Sequence, residues 1–343
     1  MSAAGSPPEW IRAEFEEARR CGQTVLARGA GRRLGPVPDN MRVLPMQDVR
    51  GILDFHPEDL TVEVAAGTSL AALNAELEAR AQWFPVGLPD GDDDTLGGLV
   101  SMGLAGLLSG YGAVRDRVLG LRAVTPAFGE VRLGAGVVKS VAGYNMPRLY
   151  WGSRGAFGVL VALTLKLAPR PQAPLGTVVV PVATDAYATW WPDVEAVLDA
   201  GWPDAHAEVL IDGSGRTLRL TAPLDVLEHS ALAGRAAEPA AWEVPGVYAQ
   251  IPLERERTGD VIAGAPPGGG RALLSLGSGV LHVLDRAGGP DGASTPWGLG
   301  GRVFGGPPVP TRVSREVYPA LRRFQTAVDP DGILPPLAEE GLP

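Results

Sequence analysis

Two glycine-rich stretches carry residue types and spacings from which chemistry could be built. The first is Arg28-Gly-Ala-Gly-Arg-Arg-Leu-Gly35, where the short apolar run 24–27 leads into glycines flanked by arginines. Main-chain N–H groups and guanidinium ions together can cradle an anion such as phosphate. The spacing is G-x-G-x-x-x-G, and Pro36 and Pro38 stand where a helix would have to begin, which disfavours a Rossmann nicotinamide site. The second stretch, residues 95–112, holds six glycines among small and apolar residues, with Tyr111 its one bulky polar side chain. Each glycine costs a helix interior roughly 1 kcal/mol relative to alanine. Close approach to a ligand and positive φ both call for glycine, so the stretch reads as lying against a large flat cofactor. A tight helix-packing segment and a plain glycine-rich loop are the other readings.

Other candidates carry less. Gly134-Ala-Gly-Val-Val-Lys-Ser140 resembles a phosphate-binding P-loop, but Val138 stands where the glycine before the lysine must be. His56, His206, His229 and His282 are scattered without the spacing of metal ligands. The single cysteine, Cys21, excludes an internal disulfide and any all-cysteine metal cluster. A net charge of −9 argues against non-specific nucleic-acid binding. The apolar run near residues 96–108 is broken by glycine and too short for a bilayer, and residues 1–21 lack the apolar core of a signal peptide. No membrane span and a cytoplasmic location are therefore expected.

The elements that must position these stretches follow from hydrophobic periodicity. An amphipathic helix is predicted over 9–21, a strand over 24–27, and strands over 44–46 and 60–65 on either side of a short helix near 49–54. A helix over 69–81, capped by Ser69 or Thr68, precedes the acidic turn 90–94. A turn at Arg115-Asp116 and strands over 118–124, 130–133 and 159–167 complete this half. Three prolines within 168–174 make a semi-rigid connector and the best internal boundary. Beyond it the pattern predicts strands over 176–182, 207–211, 217–221, 246–251, 273–276 and 280–284, with helices over 185–200 and 225–236. That is an α+β layer, and a last helix over 314–328 ends at Asp329-Pro-Asp-Gly332.

In order and spacing, several of these segments resemble the vanillyl-alcohol-oxidase-type flavoproteins, whose FAD domain is shared with p-cresol methylhydroxylase. Within that family the likeness is greatest to the FAD-binding subunits of glycolate oxidase. The motifs are Ala27-Arg-Gly-Ala-Gly31, Val64-Ala-Ala-Gly-Thr68, Thr95-Leu-Gly-Gly98, Tyr111-Gly112, Val114-Arg-Asp-Arg-Val-Leu-Gly120, Lys139-Ser-Val-Ala-Gly-Tyr-Asn145 and Gly152-Ser-Arg-Gly-Ala-Phe-Gly-Val-Leu160. Each is weak alone and the ordered set is specific. The resemblance implies an α+β fold: a two-subdomain FAD-binding domain of p-cresol methylhydroxylase type (1–172), an inserted small α+β cap (173–312), and a C-terminal helix and tail returning to the FAD domain (313–343). It implies non-covalent FAD, with Arg28, Gly29, Ala30, Gly31 and Arg32 around the pyrophosphate. Thr95, Leu96, Gly97, Gly98, Ala105 and Gly106 would line the cofactor, Tyr111 and Gly112 would close that loop, and Val159 would lie near a ring edge. For Arg115, Asp116, Lys139, Tyr144 and Asn145 a structural bond and a role at the flavin both stand.

Two departures bear on function. The phosphate loop carries Arg32 and Arg33 where relatives have small hydroxyl residues, and the cap offers no histidine cluster of the kind that 2-hydroxy-acid-oxidising relatives use. The expectation is an FAD-binding subunit of a glycolate-oxidase-like oxidoreductase complex, its flavin in electron relay or a structural role. The partners implied are a larger catalytic FAD subunit and an iron–sulfur subunit. A free-standing FAD oxidoreductase on a small substrate and a flavin-less assembly protein of the same fold are the alternatives.

Overall fold

The computed structural model describes residues 9–134, 146–173, 175–183, 187–230, 249–253, 258–263, 271–284, 302–303 and 311–339. The helix Glu9–Cys21 turns Ile11, Phe15 and Ala18 inward, the three-to-four-residue spacing that stacks side chains on one face. They pack on the parallel strand pair Thr24–Arg28 and Met41–Pro45 through Val25 and Leu44. Behind that pair lies a five-stranded antiparallel sheet in the order Ile52–His56, Thr61–Ala65, Val159–Lys166, Val118–Thr125, Gly129–Gly134. Its central strand Val159–Lys166 is covered on both faces: Val159 and Val161 join the core of the first helix, whereas Leu160, Leu163 and Leu165 join the main core. A strand buried on both faces reads as a continuous apolar run, which is how Val-Leu-Val-Ala-Leu reads here.

The segment expected as a helix near 49–54 is instead the edge strand Ile52–His56. It closes a hairpin on Thr61–Ala65 across the turn Pro57–Asp59, with a register shift between Ile52 and Asp54. Six residues are too few for periodicity to separate helix from strand, and cross-strand pairing decides. The helix expected over 69–81 runs Leu70–Leu77, with Ser69 accepting from Ala72 N–H at 3.1 Å, and tightens into the 3-10 turn Glu78–Arg80. Within the second glycine stretch lies a seven-residue helix, Leu96–Met102. Thr95 caps its start, accepting from Gly98 N–H at 3.2 Å, and Gly103 ends it at φ 65°, a conformation that favours glycine.

The second half builds a seven-stranded antiparallel sheet in the order Leu175–Pro181, Gly215–Pro223, His206–Asp212, Ala272–Ser275, Val280–Val283, Ala249–Pro252, Arg302–Val303. Alternation gives its two faces different duties. Val209, Ile211, Leu274 and Leu281 pack with Val194 and Val197 of the helix Tyr187–Leu198. Leu273, on the opposite face, enters the main core of the first half. Trp190 is buried in the cap core, Trp202 is exposed, and Trp242 and Trp297 lie outside the described residues.

The last helix, Tyr318–Val328, packs on the first half, with the Phe324 and Phe157 rings 5.3 Å apart edge to face. Asp329 accepts from Ile333 and Leu334 N–H at 3.0 and 2.8 Å, which closes the turn after the helix. Gln325 is 2% exposed, and its amide donates to the carbonyls of Ala156 at 3.1 Å and Pro335 at 2.8 Å. Replacing Gln325 by alanine leaves two buried carbonyls without a donor. A loss of about 1–3 kcal/mol is expected, read as a lower midpoint in urea unfolding.

Candidate functional site

The strand Thr24–Arg28 delivers the first glycine loop to a cavity of about 330 Å³. On one wall stand Gly29, Ala30, Gly31 and Arg32, and on the facing wall Thr95, Gly97, Gly98, Ser101 and Met102 from the capped helix and its N-cap. The walls approach closely. A Cβ on Gly29 would lie 2.0 Å from Thr95 Oγ1, and one on Gly97 3.0 Å from the Ala66 methyl. Any side chain at residue 29 would push the two loops apart. Leu26, Met41, Met46, Ala66 and Leu160 supply apolar surface, and Gly155, Gly158, Pro335 and Pro336 close the cavity below Arg154.

The electrostatics of the loop differ from what its arginines suggest. Arg33 is 7% exposed and is held by Asp90 at 2.6 Å and Asp94 at 2.5 Å. Burial works against its charge, but the bonds and fields of Asp90 and Asp94 outweigh it and carry the guanidinium above its ordinary pKa. Arg32 donates to the Asp90 carbonyl at 2.6 Å and pairs with Asp93 at 3.2 Å. Both arginines thus serve the acidic turn. Arg28, exposed beside Gly31, makes no ion pair among the described residues. The N–H groups of Gly29, Ala30, Gly31 and Arg32 meet no acceptor among the described residues either. Main-chain donors and a cation of this kind, at a glycine loop, are the groups from which anion-binding nests are built.

The other residues singled out from the sequence lie elsewhere. Leu96 and Val159 are core residues, 0% and 2% exposed. Ala105 has both main-chain groups taken by one cap side chain: its N–H donates to Gln250 Oε1 at 2.9 Å and its carbonyl accepts from Gln250 Nε2 at 2.8 Å. Gly106 is pressed on the backbone, since a Cβ there would lie 1.9 Å from Val86 O. Tyr111 donates to the Asp204 carboxylate and stacks edge-on to Trp83 at 5.6 Å, and Gly112 follows it at φ 83°. Burial, then the Asp204 bond, pushes the Tyr111 phenol up, and burial also raises Asp204. Asp116 pairs with Arg148 and Arg115 on the surface. Lys139, Tyr144 and Asn145 lie outside the described residues.

The second glycine stretch therefore divides. Its first half walls the cavity, and its second half joins the cap. Gly110 sits where a Cβ would be 2.6 Å from Pro203 O, and Ser109 lies against Gly277. Cap residue His282 is wholly buried, its Nδ1 3.2 Å from the Gln250 amide and its ring within the fields of Asp90 and Arg33. Sequence reasoning missed Arg154, Ser101, Met46 and Pro336 in the cavity wall. Arg154 lies inside one of the motifs above, but a partly buried arginine between glycines gives no periodic signal.

With this geometry in view, residues 7–134 match the family described as FAD binding domain. Glycolate oxidase subunit GlcE of Escherichia coli (strain K12) is 41% identical over 140 residues, 40% of this chain and 40% of that protein. Glycolate oxidase subunit GlcD of Bacillus subtilis (strain 168) is 32% identical over 43% of this chain and 32% of its own length. A mitochondrial D-lactate dehydrogenase [cytochrome] of Arabidopsis thaliana is 35% identical over 38% of this chain and 23% of its own. The chain thus spans well under half of each of these relatives. A known structure of alkyldihydroxyacetonephosphate synthase superposes over 97% of this chain and 76% of its own, with a TM-score of 0.64 at 14% identity, a likeness of fold. The fold is α+β with an FAD-binding domain of p-cresol methylhydroxylase type, and FAD is the cofactor that domain takes. The cavity fits such a group: apolar wall residues, glycines where a Cβ would collide, and loop N–H groups without an acceptor among the described residues.

Burial holds His282 down at about pH 4, against about 6.5 for an exposed imidazole. A histidine pKa depressed by folding means the unfolded chain binds the extra proton first, so stability is complete above pH 6.5 and is lost as pH falls toward 4. A decline of about 3 kcal/mol over that window is expected, and His282→Gln should flatten the slope of unfolding free energy against pH there.

Proposed function

We propose that this chain is the FAD-binding subunit of a 2-hydroxy-acid-oxidising complex of glycolate oxidase type, acting beside a larger catalytic FAD subunit and an iron–sulfur subunit. The flavin of such a protein accepts and passes on electrons. The observation that carries the reading is the glycine-walled cavity, whose loop has four N–H groups without an acceptor among the described residues and the Arg28 side chain beside Gly31. Gly29 to Arg32 would hold the pyrophosphate through main-chain donors, with Arg28 neutralising its charge. Arg32 and Arg33 would keep the loop in place through Asp90, Asp93 and Asp94 rather than touch the ligand. Thr95, Gly97 and Gly98 would lie flat against the ligand and exclude water.

A relay role is favoured over independent turnover by the ionisable groups of the cavity. Among the described residues these are Arg32, Arg33, Arg154 and Asp94. Asp94 is tied to Arg33, so no wall side chain is set to take the proton of a substrate hydroxyl. Nor does any group of three His, Cys, Asp or Glu among the described residues stand ready to hold a metal ion. No described helix is long and apolar enough to cross a membrane.

The isolated chain, reconstituted with FAD, should show a protein-bound flavin spectrum that glycolate and D-lactate leave unbleached, with bleaching only after the larger subunit is added. Bleaching by the chain alone would overturn the relay role, and absence of flavin binding would overturn the cofactor assignment. Arg28→Ala should weaken FAD about tenfold, more at low salt than at high, while Arg32→Ala should change affinity little.

A further inference from the structure

We propose that the strand Leu175–Pro181, an outer edge of the seven-stranded sheet, pairs antiparallel with the same strand of a second copy of this chain. The inference stands apart from the cofactor reading. Among the described residues the strand pairs only with Gly215–Pro223, so one side of its backbone turns outward. Its sequence, Leu-Gly-Thr-Val-Val-Val-Pro, holds no charge. Sheet edges are ordinarily guarded against further pairing by charged side chains, bulges or shortness. Every other edge strand of three or more described residues has such a guard. These are Arg28, Arg42, Asp54 with the register shift beside it, Arg132, Arg312 and Glu339. The far edge of the same sheet, Arg302–Val303, is both charged and short. Among the described edges, only Leu175–Pro181 is long and uncharged.

The hydrogen-bonding groups of the strand select its occupant. Val182 N–H donates to Arg216 O at 3.0 Å, which continues the ladder with Gly215–Pro223. Main-chain groups alternate in direction along a strand, so the N–H groups of Leu175, Thr177 and Val179 point outward. The next residue in that series, Pro181, has no N–H. With the two copies antiparallel about a two-fold axis at Val178, Thr177 faces Val179 of the other copy and Leu175 faces its Pro181. Each outward N–H then meets a carbonyl, and the missing donor falls at the outermost pair. The side chains agree with this register. Leu175 is 42% exposed and Pro181 is exposed, and each covers the other. Leu224, 43% exposed, lies over Gly176, where a built Cβ would be 2.4 Å from it, and Gly176 faces Val180 of the other copy. Each copy carries a net charge of −9, so two copies approach best through a surface without charge.

Sedimentation equilibrium of the whole chain tests this, in a dilution series down to about 1 μM, the weak end for interfaces of standard size. The concentrated chain should sediment at twice the mass of one copy. Val179→Lys puts a charge on the edge, and Thr177→Pro removes an outward N–H at a position where an edge tolerates proline. Both variants should be monomeric, with the circular dichroism of the parent. Asp54→Lys, on the edge of the other sheet, should leave the dimer intact. In the parent, the amides of Thr177 and Val179 should exchange with deuterium more slowly in concentrated than in dilute solution. A monomeric parent overturns the inference. So does a dimer that survives both edge substitutions in folded form, or one that Asp54→Lys dissociates. Should neither edge variant fold, exchange at Thr177 and Val179 decides: rates independent of concentration overturn the inference as well.

Discussion

The cavity depends on one buried ion cluster. Arg33 reaches from the first glycine loop into the turn 90–94 and is held there by Asp90 and Asp94, both nearly inaccessible to water. Taking such charges out of water is expensive, and the net gain over an apolar contact is small. What the cluster provides is position. Asp94 immediately precedes Thr95, the cap of the helix Leu96–Met102, so a single guanidinium fixes both walls of the cavity relative to one another. With that distance set, Gly29 can meet Thr95 closer than any Cβ would allow, and four main-chain N–H groups of the loop are left without an acceptor among the described residues.

Charge sharing also explains why the loop tolerates three arginines. Three free cations would repel one another when no ligand is bound. Two are neutralised by the acidic turn, and the remaining charge of Arg28 matches an anion arriving from solvent. The turn in turn lies under the cap, close enough for His282 to feel Asp90 and Arg33. The second sheet thus feels the field of the cluster that shapes the cavity, and it also bonds Ala105, just beyond the second wall, through Gln250. Cavity and cap share their supports, although they are built from distant parts of the chain.

How much of this was legible in the sequence depends on what kind of atom does the work. Backbone requirements leave a mark, because glycine is the only residue that meets them: the glycine loop and the Thr95 stretch are both legible, and Gly29 to Gly31, Thr95, Gly97 and Gly98 line the cavity. The strands Val118–Thr125 and Val159–Lys166 were legible as apolar runs bounded by turns. The edge strand Ile52–His56 was not, since its pairing with Thr61–Ala65 is a tertiary fact with no six-residue signature. Glycine also serves packing. Gly106 and Gly110 are glycines for close packing on Val86 and Pro203, a demand that reads the same as closeness to a ligand. Side-chain roles were the least visible: nothing local tells that Arg32 and Arg33 turn to Asp90, Asp93 and Asp94 while Arg28 does not.

The same distinction separates what the chain binds from what it does. A cofactor held mainly by main-chain groups requires glycines in a fixed order, and these survive as motifs across a loop, a helix cap and a strand entrance. A reaction requires a few side chains at the ligand with tuned protonation, and any element can supply them. In this chain Asp94 of the cavity wall is engaged with Arg33, and farther from it His282 contacts Gln250 and Tyr111 bonds Asp204. Each bond of that kind stabilises the closed arrangement and withdraws a candidate acid or base from use. Among the described residues such bonds fit the role proposed above, in which the chain holds a redox group in a fixed orientation and leaves the substrate's proton to another subunit.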